Sequence, residues 1–176
     1  MKGRTVIQKG LMAILFGAVL PVFVLWAGIG RTTMLAQHLD VRGLTLKAAK
    51  VVEAKCVSVE EDSSSPNLIY TFQVTRMLKG RKRTSTVKVR IPGGHLGNHN
   101  LYVPGVTNAA PQIGETMLLF LGSYERGYFP VGYWRGMKRV AKDSSGREMV
   151  EVEKGRWLPL SQVRETVLQA VRGASE

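Results

Sequence analysis

Three segments between residues 50 and 91 alternate apolar and polar side chains, and this pattern restricts that part of the chain to β-structure. The segments are 50–60, 68–78 and 86–91. The polar cluster at 61–67 separates the first two, and Gly80 allows the chain to reverse before the third. A period of two indicates strands with one buried face, so we expect hairpins of an antiparallel sheet.

The rest of the chain predicts a few more strands and one helix. Residues 116–121, 127–132 and 147–153 have the length and apolar content of strands. Residues 158–173 change to a helical period, with Ser161 placed as the N-cap and Gly173 after the end. Five or six short strands and one terminal helix predict a mainly β fold. We expect a small antiparallel OB-like barrel, preceded by an N-terminal hydrophobic helix.

The predicted organisation has four parts: a signal peptide or membrane anchor at 1–36, a lead-in at 37–49, the barrel at 50–157 and the C-terminal helix at 158–176. Gly43 weakens any long helix in the lead-in. The lead-in is therefore predicted either as a short helix after Thr45 or as an irregular segment.

The N-terminus has the pattern of an export signal. Residues 11–30 contain no charge, and they follow Lys2, Arg4 and Lys9. A run of this length also suffices to cross a bilayer as a helix, so a cleaved signal and a retained inner-membrane anchor both stay open. In either case we expect the residues after about position 37 in the periplasm or outside the cell. Membrane contact is expected only through residues 11–30, if they are not cleaved.

The chain is strongly basic, with a net charge of +12. Six Lys and Arg residues lie between Lys79 and Arg90. The alternation divides this run into a turn and one outward face of a strand, where cations remain solvated and protect a sheet edge. Because an exported domain rarely meets nucleic acid, we predict no nucleic-acid partner.

No catalytic or metal-binding set is evident. His95 and His99 are four residues apart in a loop at 92–115 that is rich in Gly, Pro and Asn. They are weak metal candidates because the loop contains no thiol and its one carboxylate, Glu115, stands at its far end, so a third ligand would have to come from far away. Cys56 is the only cysteine, so no intramolecular disulfide can form. We therefore predict no metal, no cofactor and no enzymatic activity, and we expect Cys56 to be a small buried apolar residue.

Aromatic and basic residues are interleaved after the long loop. The candidate binding residues are Tyr124, Arg126, Tyr128, Tyr133, Trp134 and Arg135. On an OB-like barrel such rings can form a stacking platform for sugars or extended polymers. The alternative is that some of these rings fill the barrel. The partners that this pattern suggests are an envelope glycan, an anionic surface or a co-exported protein.

Several stretches between residues 48 and 132 resemble a group of small exported bacterial proteins. The stretches are "KVVEAKCVSVE", "IYTFQVTRMLKG", "VKVRIPGG", "IGETMLLFLG" and "YFPVG". The group is likened to the OB-type barrel of the tissue inhibitors of metalloproteinases and netrin modules. For those inhibitors the resemblance implies zinc chelation by an N-terminal cysteine and a disulfide framework. This chain has neither, since Gln37 or a nearby residue would lead the mature protein and Cys56 stands alone.

The function expected from the sequence is an exported, non-enzymatic binding or adaptor domain of the cell envelope. It would use the loop at 92–115 and the aromatic–basic region at 124–139. A protease-inhibitor-like module is the alternative that the resemblance suggests. A metal-dependent hydrolase using His95 and His99 is the second alternative.

Overall fold

The computed structural model describes residues 39–81, 85–96, 99–101, 110–124 and 127–174. The predicted leader at 1–36 lies outside these residues. Within them, no helix is both long enough and apolar enough to cross a membrane.

Strands dominate the described residues, as the sequence predicts. They are β1 Lys50–Glu61, β2 Asn67–Lys79, β3 Thr86–Pro92, β4 Gly94–Leu96, β5 His99–Leu101, β6 Thr116–Tyr124, β7 Gly127–Pro130, β8 Met137–Lys142, β9 Glu148–Glu153 and β10 Arg156–Pro159. The helices are α1 Val41–Lys47 and α2 Leu160–Arg172, and a 3-10 turn at Tyr133–Gly136 joins β7 to β8. Strands β4, β5, β8 and β10 are additions to those expected from the sequence.

Five strands close into a barrel in the order β1-β2-β3-β7-β6, because β6 pairs back onto β1. This confirms the predicted OB-like barrel with its C-terminal helix. One detail differs from the antiparallel expectation. The β3–β7 pairing, at Val89 and Tyr128, is parallel, whereas the other barrel pairings are antiparallel. Strands β8, β9 and β10 extend the sheet from the edge of β6.

The first parts of β1 and β6 are buried on both sides, since one face of each lines the barrel and the other lies under the helices. Inside the barrel pack Val52, Ala54, Cys56, Phe72, Val89, Met117, Leu119 and Leu121, among others. The outer core contains Val51, Leu118 and Phe120 with Leu44 of α1, Val150 of β9, and Leu160, Val163 and Val167 of α2. Because successive residues of a strand point to opposite faces, two separate cores require an unbroken apolar run, as in β6.

Helix α1 begins earlier than the sequence predicts. It starts at Val41 rather than after Thr45, because the Asp40 carboxylate caps it by accepting a hydrogen bond from the Gly43 N–H at 2.7 Å. At the other end, Lys79 Nζ donates to the carbonyl of Thr45 at 2.8 Å. A local cap and a distant lysine therefore stabilise a helix that contains a glycine.

Helix α2 has the predicted apolar face and the predicted Gly173 at its end. The predicted N-cap is wrong, because Pro159 occupies that position and Ser161 lies inside the first turn. The fixed φ of Pro159 sets the entry into the helix without a side-chain hydrogen bond.

A buried ion pair fastens α2 to the barrel. Arg164 Nε donates to Glu53 Oε1 at 2.6 Å, and its Nη2 donates to Glu53 Oε2 at 2.8 Å and to Glu148 Oε2 at 3.0 Å. The bond to Glu53 is the main reason that the pKa of Arg164 is raised above its usual range. A bidentate pair of this kind fixes orientation as well as position.

Candidate functional site

A cleft of about 630 Å³ lies against the outer surface of the barrel. Its walls come from the β1–β2 turn, from β3 and from the β6–β7 hairpin. The side chains that define it are Asp62, Ser65, Asn67, Arg90, Tyr124 and Phe129. In OB-like barrels the outer face near strands 2 and 3, between the first hairpin loop and the loop joining strands 4 and 5, binds oligosaccharides and oligonucleotides. The cleft occupies that place, since β6 and β7 are the fourth and fifth barrel strands.

The carboxylate of Asp62 accepts four hydrogen bonds on the polar side of the cleft. Its Oδ1 accepts hydrogen bonds from the Ser64 N–H at 3.0 Å and the Ser64 hydroxyl at 2.7 Å. Its Oδ2 accepts from the Ser65 hydroxyl at 2.8 Å and from Arg90 Nε at 3.1 Å. These bonds, those from Ser64 first, hold the pKa of Asp62 far below its usual range. With four donors on its two oxygens, this carboxylate positions its neighbours and is unsuited to accept a proton from a substrate.

Arg90 corrects one expectation from the basic run. The sequence predicts a cation on the wet face of a strand, and Lys88 is indeed exposed. The side chain of Arg90, however, is only 19% exposed and is paired with Asp62. The β1–β2 turn folds over the outer face of β3 and partly covers the guanidinium group, so Arg90 forms part of the cleft wall.

Tyr124 and Phe129 form the aromatic side of the cleft. They approach each other edge to face, with ring centroids 5.2 Å apart and an interplanar angle of 79°. This geometry is one of the two that aromatic pairs prefer, so Phe129 restricts the orientation of the Tyr124 ring. Tyr124 remains 63% exposed. The cleft therefore presents an exposed and oriented aromatic ring beside hydrogen-bonding side chains.

The structure separates the predicted aromatic–basic face into different places. Only Tyr124 lines the cleft. Tyr128 packs against the barrel core, with Lys50 Nζ 4.7 Å from its ring centroid. This position agrees with the alternative that some of the rings fill the barrel. Tyr133, Trp134 and Arg135 lie on the 3-10 turn and are not among the residues that line the cleft. Arg126 lies outside the described residues.

Sequence reasoning missed the polar half of the site. Asp62, Ser65 and Asn67 lie in the cluster that predicts a turn, and they do form that turn. The available signal was positional: a polar turn after the first strand of an OB-like barrel is one of the fold's binding loops.

The metal candidates lie on a short hairpin within the predicted loop. His95 belongs to β4 and His99 to β5, and the backbone register pairs Leu96 with His99. Among the residues that the structure describes, no group of three His, Cys, Asp or Glu side chains could hold a metal ion.

Cys56 and Lys138 are buried titratable groups that lie outside the cleft. Cys56 is enclosed in the barrel, and its pKa is raised mainly by burial and also by Glu115. Lys138 is buried on β8 and donates to the carbonyl of Val152 at 2.6 Å. Burial lowers the pKa of Lys138 most, against the opposing effect of nearby glutamates. Each of these groups is explained by packing or by a backbone hydrogen bond.

No protein-family model matches this chain, and a search of curated proteins finds no significant match. The resemblance of residues 48–132 to the exported OB-like group thus stays a prediction.

Proposed function

We propose that this protein is an exported, non-enzymatic binding domain that holds a glycan chain in the cleft between the β1–β2 turn and the β6–β7 hairpin. The observation that carries the proposal is the exposed ring of Tyr124, held edge to face by Phe129 across from the Asp62–Arg90 pair. A cleft of this volume is in the range of small-molecule and oligomer sites.

The chemistry of the cleft suits a sugar. The flat face of an aromatic ring packs against the apolar C–H face of a pyranose, and hydroxyl groups need neighbouring hydrogen-bonding side chains. Asn67 supplies an amide oriented by its own bond to the Ser65 hydroxyl at 2.7 Å. Arg90, held by Asp62, supplies a planar cationic group on the same wall.

The charge of the cleft favours a glycan over nucleic acid. Although the chain carries a net charge of +12, the charged side chains that line the cleft in the described part are one acid and one base, Asp62 and Arg90. Affinity for a phosphate backbone requires a surplus of cations along the site. The bulk of the positive charge therefore lies outside the proposed glycan site.

The N-terminal sequence supports export. Residues 11–30 are uncharged and follow a basic leader, and an exported domain meets the glycans of the cell envelope. The absence of a catalytic set from the sequence favours binding alone.

Isothermal titration calorimetry against a panel of soluble envelope oligosaccharides tests the proposal. We expect saturable binding to at least one neutral or acidic oligosaccharide. Tyr124→Ala should weaken that binding by about tenfold or more, the contribution of one stacking ring.

The matched control is Tyr133→Ala, because Tyr133 is 57% exposed but does not line the cleft. This variant should keep the affinity of the natural chain. The proposal fails if no oligosaccharide binds saturably, if single-stranded nucleic acid competes more strongly than any sugar, or if the two variants lose affinity equally.

A further inference from the structure

The 3-10 turn at Tyr133–Gly136 displays two large aromatic rings outside the cleft. Tyr133 is 57% exposed and Trp134 is 42% exposed. The guanidinium carbon of Arg135 lies 5.3 Å from the centroid of the Trp134 ring, within the range of a cation–π contact. We call these three residues the aromatic turn.

The aromatic turn is held in a strained conformation. Tyr133 has a φ of +57° and is the only non-glycine residue with a positive φ in the described part of the chain. A left-handed tyrosine costs conformational energy, and an exposed ring recovers little of it through burial. Gly136 keeps the turn tight, since a Cβ there would lie 2.5 Å from the Val131 carbonyl oxygen. Strain that the fold maintains without a packing gain points to a role in binding.

The aromatic turn lies beside the point where the described chain begins. Leu39 Cδ1 is 3.8 Å from the position that a Cβ on Gly132 would occupy. The uncharged run at 11–30 ends shortly before it in the sequence, and residues 31–38 can span at most about 30 Å when fully extended. A bilayer that held residues 11–30 would thus lie within reach of the aromatic turn.

We propose that the aromatic turn rests in the interface of an anionic lipid bilayer, with Tyr133 and Trp134 among the headgroups and Arg135 on their phosphates. Tyrosine and tryptophan prefer this region because each has an apolar ring and a polar group. The planar guanidinium group of arginine matches the geometry of phosphate oxygens. The nearby helix α1 adds the exposed cations Arg42 and Lys47, which outnumber the one carboxylate at its start, that of the capping residue Asp40.

Quenching of tryptophan fluorescence by brominated lipid tests the proposal directly on the full-length chain. The chain has three tryptophans, and Trp157 on β10 is 37% exposed, nearly as much as Trp134. One variant, Trp26→Phe with Trp157→Phe, retains only Trp134. Its matched control, Trp26→Phe with Trp134→Phe, retains only Trp157.

Both variants are reconstituted in vesicles of phosphatidylglycerol and phosphatidylcholine, with and without bromine near the headgroup end of the acyl chains. The interfacial position predicts about a twofold loss of Trp134 emission and little loss of Trp157 emission. Arg135→Glu, introduced into the Trp134 variant, should remove most of the quenching, because the reversed charge repels the anionic surface.

A further variant separates membrane contact from folding. Tyr133→Gly suits the left-handed backbone and should fold at least as well as the natural chain, yet it should reduce the quenching of Trp134. Equal quenching of Trp134 and Trp157, or none of Trp134, would overturn the proposal. A glycan or a protein in place of lipid at the turn would leave Trp134 unquenched and would overturn it as well. The glycan titration concerns the cleft alone, so each proposal can fail without the other.

Discussion

The outer side of strand β6 is covered by the outer core in the first half of the strand and is open to the cleft in the second half. Leu118 and Phe120 point outward and are fully buried in the outer core. Gly122 and Tyr124 follow on the same side of the strand, because side chains alternate, but they line the cleft. One strand thus contributes to stability with its first half and to the proposed binding site with its second. Phe120 and Tyr124 both point outward from β6, but only Phe120 is covered by other elements. Whether an outward side chain can bind a ligand therefore depends on the neighbouring elements and not on the strand pattern.

A carboxylate and an arginine also meet on each face. Under α2, Glu53 and Arg164 form a bidentate pair that joins elements far apart in the sequence. In the cleft, Asp62 and Arg90 meet through one Nε contact, and the carboxylate is otherwise bonded within its own turn. The first pair fixes a helix, whereas the second shapes a wall that a ligand can reach.

The largest expected effect compares two outward rings of β6. Phe120→Ala should lower the free energy of unfolding by about 3–5 kcal/mol, because it leaves a cavity in the outer core. Tyr124→Ala should change it by less than about 0.5 kcal/mol, since that ring is exposed. Urea denaturation followed by circular dichroism measures both values. Similar losses in the two variants would show that the faces do not differ as described.

The second prediction concerns the buried ion pair. Arg164→Ala should lower the free energy of unfolding by about 3 kcal/mol, because Glu53 is then left buried without its main partner. Arg156→Ala is the control, since its pair with Glu153 is exposed and should contribute less than about 1 kcal/mol. The same denaturation experiment serves for both, and an equal, small effect would mean that α2 is held by its apolar face alone.

Much of the fold could be predicted from local sequence patterns. The alternation of apolar and polar residues in β1, β2 and β3 indicates strands with one buried face, and the helical period of apolar residues in α2 identifies its buried face. Strand β8 was missed because its apolar positions are few and Lys138 occupies a buried one. Strand β10 was missed because four residues that include Trp157 and Pro159 show no alternation.

The candidate site was less predictable, because its parts come together only through the fold. Arg90 was expected to be solvated, and nothing local shows that the turn containing Asp62 folds over it. The aromatic residues that follow β6 look like one cluster in the sequence. The barrel places Tyr128 against the core, Tyr124 in the cleft and Tyr133 on a strained turn. Proximity in sequence was therefore a poor guide to a shared surface.

The smallest expected effect is the contribution of the Asp62–Arg90 pair to the free energy of unfolding, and it can be measured at acid pH. An unfolded aspartate has a pKa of about 3.9, whereas the hydrogen bonds to Asp62 lower its pKa in the folded protein. As the pH falls below about 4, Asp62 binds a proton in the unfolded chain but stays ionised in the folded chain. The free energy of unfolding therefore decreases as the pH falls. Asp62→Asn removes this group and should flatten the acid side of the stability profile, with a smaller loss at pH 7 than Arg164→Ala causes.

Asp143→Asn is the control for this titration. The Ser145 hydroxyl and the backbone N–H of Arg147 lower the pKa of Asp143 to about 2, in a turn away from the cleft. Both variants should flatten the acid limb in denaturation midpoints measured from pH 7 to pH 2. Only Asp62→Asn should also weaken binding of the oligosaccharide, because it releases Arg90 from the cleft wall. If Asp62→Asn kept the acid slope of the natural chain, the carboxylate would not be held by these bonds. The open face would then lack the ordered polar wall that distinguishes it from a bare sheet surface.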